Sequence, residues 1–123
     1  MGALARDITA GGTSAMSAQA INGRIQTGIT ATGTTISDAY DLNATVNVVG
    51  TTASGTGVQL YSMILGDEME IYNGGANPLA VYPQSSSVAI NQLTAGAAML
   101  LPPRTACKYR QVTATQVIAN MSA

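Results

Sequence analysis

The sequence predicts an all-β protein: an antiparallel domain of the jelly-roll or β-sandwich type, preceded by an extended N-terminal arm. Short segments that alternate polar and apolar residues recur from position 34 onward at a spacing of roughly eight to twelve residues, with Gly, Asn and Pro between them. No unit repeats at the fixed period of a solenoid. The 123 residues, 46% of them hydrophobic, suffice for one core of modest size.

The predicted arm comprises residues 1–33, and the predicted β domain comprises residues 34–123. Gly, Ala, Ser and Thr dominate the arm, and its few large apolar residues offer too little burial to offset the entropy of ordering. The N-terminus shows no secretion signal, and Arg6 stands where a myristoylation pattern needs a hydroxyl. We therefore expect the protein to be made and kept in a cytoplasm.

Alternation defines the strands of the β domain. The segment 42–49 predicts a half-buried antiparallel strand, with Leu42, Val46 and Val48 facing the core while Asn43 and Asn47 face solvent. The other predicted strands are 34–40, 58–61, 68–72, 79–82, 88–93, 97–101, 105–112 and 117–119.

Residues 66–83 predict a β-hairpin. The segment 68–72 alternates polar and apolar residues, the segment 79–82 repeats the alternation, and Pro83 ends the return strand because it has no N–H to donate. Between the two strands, Gly and Asn enter positive-φ conformations at little steric cost. The predicted turn residues are Asn73, Gly74, Gly75 and Asn77.

Four charged residues predict a pairing of strands. Glu68 and Glu70 alternate on one face of the first hairpin strand, and Lys108 and Arg110 alternate in the same way on the segment 105–112. Opposite charges placed across neighbouring strands contribute roughly 0.2–1 kcal/mol per pair. The pattern is compatible with pairing inside one subunit, with pairing between subunits and with two separate solvated faces.

The composition argues against several classes of function. The chain has no His, so it lacks the commonest general base and zinc ligand, and we expect no enzyme activity, cofactor or metal. Five Lys and Arg residues do not supply the basic stripe that nucleic acids require, and no apolar run is long enough to cross a membrane. The single Cys107 is predicted to be a small buried hydrophobic residue. A charged fraction of 9% and many small side chains favour a protein that is stabilised by oligomerisation.

An ordered set of motifs resembles a β-rich module of tailed-bacteriophage virion proteins, and in particular small capsid decoration (cement) proteins. The motifs are D-L-N-A-T-V-N-V-V (41–49), G-T-G-V-Q-L (55–60), G-D-E-M-E-I-Y-N-G-G-A-N-P-L-A-V-Y-P (66–83) and V-A-I-N-Q-L-T-A-G-A-A-M-L-L (88–101). The resemblance covers residues 35–115 and involves strand and turn motifs, not catalytic residues. The chain departs from the pattern by ending without a closing aromatic residue.

The resemblance implies a jelly-roll or sandwich-like domain that trimerises on the outer surface of the phage head, in the virion. It also implies that the major capsid protein is the partner and that the protein braces neighbouring capsid subunits. The arm, residues 1–33, is where we expect capsid contacts. The alternative is a trimerising module of a tail fibre or baseplate with a carbohydrate-binding surface, for which the candidate aromatic residues are Tyr61, Tyr72, Tyr82 and Tyr109.

Overall fold

A computed structural model describes residues 24–122 of the chain. These residues form ten β-strands and no helix, so the predicted all-β class is confirmed. The strands are β1 (Ile25–Thr30), β2 (Tyr40–Asp41), β3 (Val46–Thr51), β4 (Gly57–Gln59), β5 (Glu68–Asn73), β6 (Leu79–Tyr82), β7 (Ala89–Ile90), β8 (Met99–Leu101), β9 (Thr105–Thr113) and β10 (Gln116–Met121).

The strands lie in two sheets, and the chain changes sheet at every step from β1 to β9. The first sheet has the order β1-β3-β5-β9-β10-β7, and the second has the order β2-β4-β6-β8. Within the sheets, β1, β3 and β5 are parallel neighbours, as are β2, β4 and β6. The first six strands therefore form three successive coils of a short β-solenoid, and each coil contributes one strand to each sheet.

This topology corrects the expectation of an antiparallel jelly-roll. Both sheets are of mixed orientation, because β9 is antiparallel to β5 and β10, and β8 is antiparallel to β6. Polar and apolar alternation shows that a segment is a strand with one buried face, but it is the same for parallel and antiparallel partners. The orientation depends on where the chain returns to the sheet, which alternation does not encode.

The coils differ in length, which explains why no period is visible in the sequence. In the first sheet Ile25 lies beside Val46 and Val46 beside Glu70, so the offsets are 21 and 24 residues (25 to 46, and 46 to 70). In the second sheet Tyr40 lies beside Val58 and Val58 beside Val81, with offsets of 18 and 23 residues (40 to 58, and 58 to 81). A search for a constant repeat length does not find such a solenoid.

The core lies between the two sheets. Inward side chains of β5 and β9 in the first sheet and of β6 and β8 in the second belong to one buried cluster, which contains the alternating positions that the sequence predicts for β5. Cys107 is 1% exposed and belongs to this cluster, as predicted for a small buried residue. The largest fully buried side chains are Tyr109, Met69, Ile71, Leu79, Ile90 and Leu101.

The predicted hairpin is wrong in its pairing, although both of its strands are present. β5 lies in the first sheet between β3 and β9, whereas β6 lies in the second sheet between β4 and β8. Residues 74–78 therefore form a corner that carries the chain from one sheet to the other. Short strands separated by Gly and Asn are compatible with either connection, because both require the chain to change direction sharply.

The predicted faces of the strand at 42–49 are correct at its start and inverted at its end. Leu42 is buried as predicted, but Asn47 is fully buried while Val46 and Val48 are only half-buried on the outer face of the first sheet. The Asn47 side-chain amide donates to the carbonyl oxygen of Ala44 at 2.8 Å. It also donates to the carbonyl oxygen of Glu70 at 3.3 Å, which links two coils. Val46 and Val48, which alternation assigned to the core, therefore lie on the outer face of the first sheet.

Residues 34–39 form a turn and not the strand that their alternation predicts. One carboxylate oxygen of Asp38 accepts hydrogen bonds from the backbone N–H groups of Thr34 at 3.0 Å and Thr35 at 2.7 Å. These hydrogen bonds, with Thr35 the largest contributor, lower the pKa of Asp38. An Asp side chain that satisfies nearby backbone donors competes with strand pairing, which explains the difference.

Part of the predicted arm is a strand of the first sheet. β1 pairs with β3, and Ile29 is 2% exposed, so the described end of the arm belongs to the β domain. Residues 1–23, including the segment in which capsid contacts are expected, lie outside the described residues.

Candidate interaction surface

The four charged residues that the sequence groups together meet on the outer face of the first sheet. β5 and β9 are antiparallel neighbours in a register that places Glu68 opposite Arg110 and Glu70 opposite Lys108. Glu68 and Arg110 form an ion pair. The hydrogen bond from Arg110 lowers the pKa of the Glu68 carboxyl. The sequence is compatible with pairing inside one chain and with pairing between chains. Glu68 and Arg110 pair inside one chain.

Glu70 and Lys108 lie across from each other but form no ion pair, since Glu68–Arg110 is the single bridge found within residues 24–122. Lys108 is exposed, and Glu70 is partly exposed. The two strands thus present an acidic column on β5 and a basic column on β9, about 4.8 Å apart as for any neighbouring strands. Their charges sum to zero.

Apolar side chains surround the charged columns. Val46 lies beside Glu70, Val48 lies beside Tyr72, and Ile118 lies beside Arg110 on the same face. Tyr72 and Ile118 are each 38% exposed. We use the name charged face for this surface, which consists of Val46, Val48, Glu68, Glu70, Tyr72, Ala106, Lys108, Arg110 and Ile118.

The predicted turn residues organise the corner between β5 and β6. The buried side chain of Asn73 makes four hydrogen bonds: its amide donates to the carbonyl oxygens of Asn77 and Leu101, each at 2.9 Å. Its side-chain oxygen accepts from the Thr52 hydroxyl at 2.8 Å and from the Gly75 N–H at 3.1 Å. Asn77 in turn donates to the Thr52 carbonyl oxygen at 2.9 Å. These bonds join the corner to the preceding coil at Thr52.

Gly75 is required by close approach and not by a positive φ. A Cβ atom at Gly75 would lie 2.5 Å from the Thr52 hydroxyl oxygen and 2.6 Å from its backbone nitrogen. At Gly74 a Cβ would lie 3.1 Å from the carbonyl oxygen of Val49. Neither glycine is among the residues with positive φ. The corner stacks directly on the previous coil, and this stacking leaves no room for a side chain.

An apolar loop that sequence reasoning missed precedes β5. Ile64 is 74% exposed and Leu65 is 65% exposed, and both line an open depression of about 520 Å³. The loop has defined anchors, because the Gly66 N–H donates to the carbonyl oxygen of Gln111 at 2.8 Å and the Ile64 N–H donates to a carboxylate oxygen of Asp67 at 3.2 Å. The only signal in the sequence is the run M-I-L immediately before Gly66.

The four tyrosines considered for carbohydrate binding are not equivalent. Tyr109 is 0% exposed, and burial raises its pKa well above the ordinary value. Tyr61 and Tyr82 are partly buried, and the Tyr82 hydroxyl donates to the carbonyl oxygen of Thr34 at 2.9 Å. Tyr72 lies on the charged face. The structure therefore does not bring the four rings to one binding surface.

Within residues 24–122, no three Asp, Glu or Cys side chains converge in a way that would hold a metal ion. The same part of the chain contains no helix of the length and apolarity needed to cross a membrane. Comparisons with protein-family models, curated proteins and solved structures find no significant match to this chain. The surface itself therefore carries the functional argument.

Proposed function

We propose that this protein is a non-enzymatic structural component of a tailed-bacteriophage virion, namely a decoration (cement) protein. It binds the outer surface of the assembled head as a trimer and stabilises contacts between neighbouring major capsid protein subunits. Support comes from the sequence resemblance across residues 35–115 and from a surface suited to protein contacts. A protein that binds only the assembled shell stabilises that shell by mass action, and several contacts per trimer multiply the effect.

The observation that carries the proposal is the apolar loop at Ile64 and Leu65. Two adjacent large apolar side chains are exposed on a loop anchored to Gln111 and Asp67. Burial of each such side chain contributes about 1.5–3 kcal/mol, and a loop already ordered loses little entropy on docking. The loop is therefore suited to insertion into a pocket of a protein partner, and we assign it to the contact with the capsid.

The test is co-sedimentation with undecorated phage heads. A variant with Ile64→Ser and Leu65→Ser should keep its fold and bind heads roughly tenfold more weakly or worse. Leu100→Ser is the matched control, because Leu100 is 63% exposed on β8 of the second sheet. If the unaltered protein does not pellet with heads, the cement function is wrong. If both variants bind equally well, the loop is not the contact.

The arm gives a second test of the same proposal. Deletion of residues 1–23, which ends before β1, should leave the β domain folded but weaken attachment to heads, because the capsid contacts are expected on the arm. The circular dichroism spectrum reports the fold, and co-sedimentation reports attachment. Undiminished binding by the truncated protein would exclude residues 1–23 as a capsid contact.

A tail-fibre or baseplate module is the second candidate. The observation in its favour is the coil of parallel strands, because such coils stack along one direction and suit elongated assemblies. Immunogold labelling of intact particles separates the two candidates: labelling of heads supports decoration, and labelling confined to tails supports the alternative.

A further inference from the structure

We propose that copies of this chain associate through the charged face, about an axis parallel to β5 and β9, with Glu70 of one copy paired with Lys108 of the next. The inference rests on the oligomer in the proposed function but is independent of capsid binding. It identifies the surface that forms the contact between subunits and the residues that determine its register.

The alternation of β3 is inverted on the charged face. The outer face of a solvated sheet is ordinarily polar, yet β3 places Val46 and Val48 outward and buries Asn47. The chain therefore leaves two half-buried valines on the outer face of the first sheet, and a second copy that covers this face removes them from water.

The acidic and basic columns of two copies are complementary in charge. Glu70 and Lys108 are directly opposite in register, so they lie at the same height along the strands. A rotation axis parallel to the strands and above the seam between β5 and β9 preserves this height and brings β5 of one copy against β9 of the next. Each Glu70 then faces Lys108 of the neighbouring copy. The relation is the same for a two-fold and for a three-fold axis, and the proposed trimer uses the latter.

Side chains along the same strands also match in size between copies. Tyr72 lies opposite Ala106 in the register of β5 and β9. The same axis therefore places the large ring of Tyr72 against the small side chain of Ala106 in the next copy. Aromatic side chains at the centre of an interface contribute strongly to its affinity, and the surrounding Val46, Val48 and Ile118 supply apolar contacts. Glu68 and Arg110, already paired within the chain, need no new partner.

The experiment measures self-association of the full chain by light scattering across a concentration series. Glu70→Lys and Lys108→Glu should each weaken association roughly tenfold or more, because each places like charges face to face. Asp41→Lys is the control with the same change in net charge as Glu70→Lys, at an exposed position on β2 in the second sheet, and should associate normally. Far-UV circular dichroism shows whether each variant is folded. If a reversed charge prevents folding, Glu70→Gln and Lys108→Gln remove the attraction without repulsion.

Mixing the two charge-reversal variants distinguishes contacts between chains from contacts within one. In the mixture, the lysine introduced at position 70 of one variant faces the glutamate introduced at position 108 of the other, while each chain keeps its own like charges. A mixed trimer joins opposite charges at two of its three contacts and like charges at the third. Partial recovery of association on mixing therefore supports the proposal, and absence of recovery contradicts it. A monomeric unaltered protein, or single variants that associate normally, would also overturn it. Co-sedimentation with heads is scored separately, so an oligomer that forms through this face but ignores heads refutes only the proposed function.

Discussion

Asn73 shows how one side chain can determine the connection between two sheets. It is the last residue of β5 and is fully buried. Its side-chain amide donates to two carbonyl oxygens, and its side-chain oxygen accepts from one hydroxyl and one backbone N–H. An Asn offers two donors and an acceptor oxygen with two lone pairs, so all of its hydrogen-bonding capacity is used here. A buried Asn is stabilising only when it is satisfied to this extent.

We predict that Asn73→Ala lowers the free energy of unfolding by about 2–4 kcal/mol, because it leaves several buried polar groups without partners. Urea unfolding followed by circular dichroism measures the change. Asn43→Ala is the matched control, since Asn43 is exposed, and its effect should stay within about 0.5 kcal/mol. Equal losses for the two variants would show that the corner network is not a source of stability.

We predict that the protein loses stability at alkaline pH because Tyr109 and Cys107 are buried. Burial raises the pKa of both groups above their usual values of 10.0 and 9.0. A group whose pKa is raised in the folded state ionises more easily in the unfolded state, so its ionisation favours unfolding. The free energy of unfolding therefore keeps the full contribution of both groups below about pH 9 and loses it as the pH rises further. The free energy of unfolding, measured between pH 7 and 11, should therefore decline above pH 9.

Tyr109→Phe separates the contribution of the phenol from that of the thiol. This variant keeps the ring in the core but cannot ionise, so its free energy of unfolding should decline less steeply above pH 10 than that of the unaltered protein. An unchanged decline in Tyr109→Phe would contradict the assignment.

At the scale of elements, β10 depends on a side chain to complete its ladder. β7 pairs with β10 only at Gln116 and Val117, and the side chain of Asn91 then continues the pairing. The Ala119 N–H donates to the side-chain oxygen of Asn91 at 2.8 Å. Asn91 has a φ of 51°, a conformation that Asn tolerates better than most residues. The side-chain amide therefore replaces the next peptide group of a strand that has ended.

We predict that Asn91→Ala costs about 1 kcal/mol of stability and increases hydrogen exchange at the Ala119 amide, because its acceptor is removed. Asn91→Asp keeps an acceptor oxygen and tolerance of positive φ, so it should preserve the protection of Ala119. Exchange followed by NMR measures both variants. Equal exchange rates at Ala119 in Asn91→Ala and the unaltered chain would indicate that water or another group serves this amide.

The alternation of β5 and β9 shows what local sequence can predict about elements. Residues at positions i and i+2 share a face in any strand, so the outward carboxylates of Glu68 and Glu70 and the inward Met69 and Ile71 follow from the sequence alone. Alternation failed at β3, where the phase changes between Ala44 and Asn47. The buried amide there bonds to a carbonyl oxygen of a strand 23 residues away, which local reasoning does not see.

At the scale of the whole molecule, the stack of coils predicts a gradient of stability. Within residues 24–122, β5 has partners on both sides, β3 and β9, whereas β1 lies at the edge of the first sheet and pairs with β3 alone. In a solenoid each coil contacts mainly its neighbours, so the coil at the edge of this part of the chain opens most easily. The first coil also contains Ile25, which is 74% exposed.

We therefore predict that backbone amides of β5 exchange at least about tenfold more slowly than hydrogen-bonded amides of β1, because opening the edge costs less than global unfolding. Native-state hydrogen exchange by NMR or mass spectrometry measures the gradient. If the face-to-face association of copies also protects β3, its amides should lose protection on dilution. Uniform protection across β1, β3 and β5 would indicate a single cooperative unit.

The sequence by itself determined the all-β class, most strand positions, the alternating faces of β5 and β9, and the placement of Cys107 in the core. These properties depend on side-chain periodicity and burial, which a few consecutive residues determine. Only the tertiary structure decided which strands pair and in which direction. It also decided that residues 74–78 are a corner between sheets and not the turn of a hairpin. Strand pairing depends on contacts between residues about 20 positions apart, and coils of 18 to 24 residues leave no constant period from which to infer them.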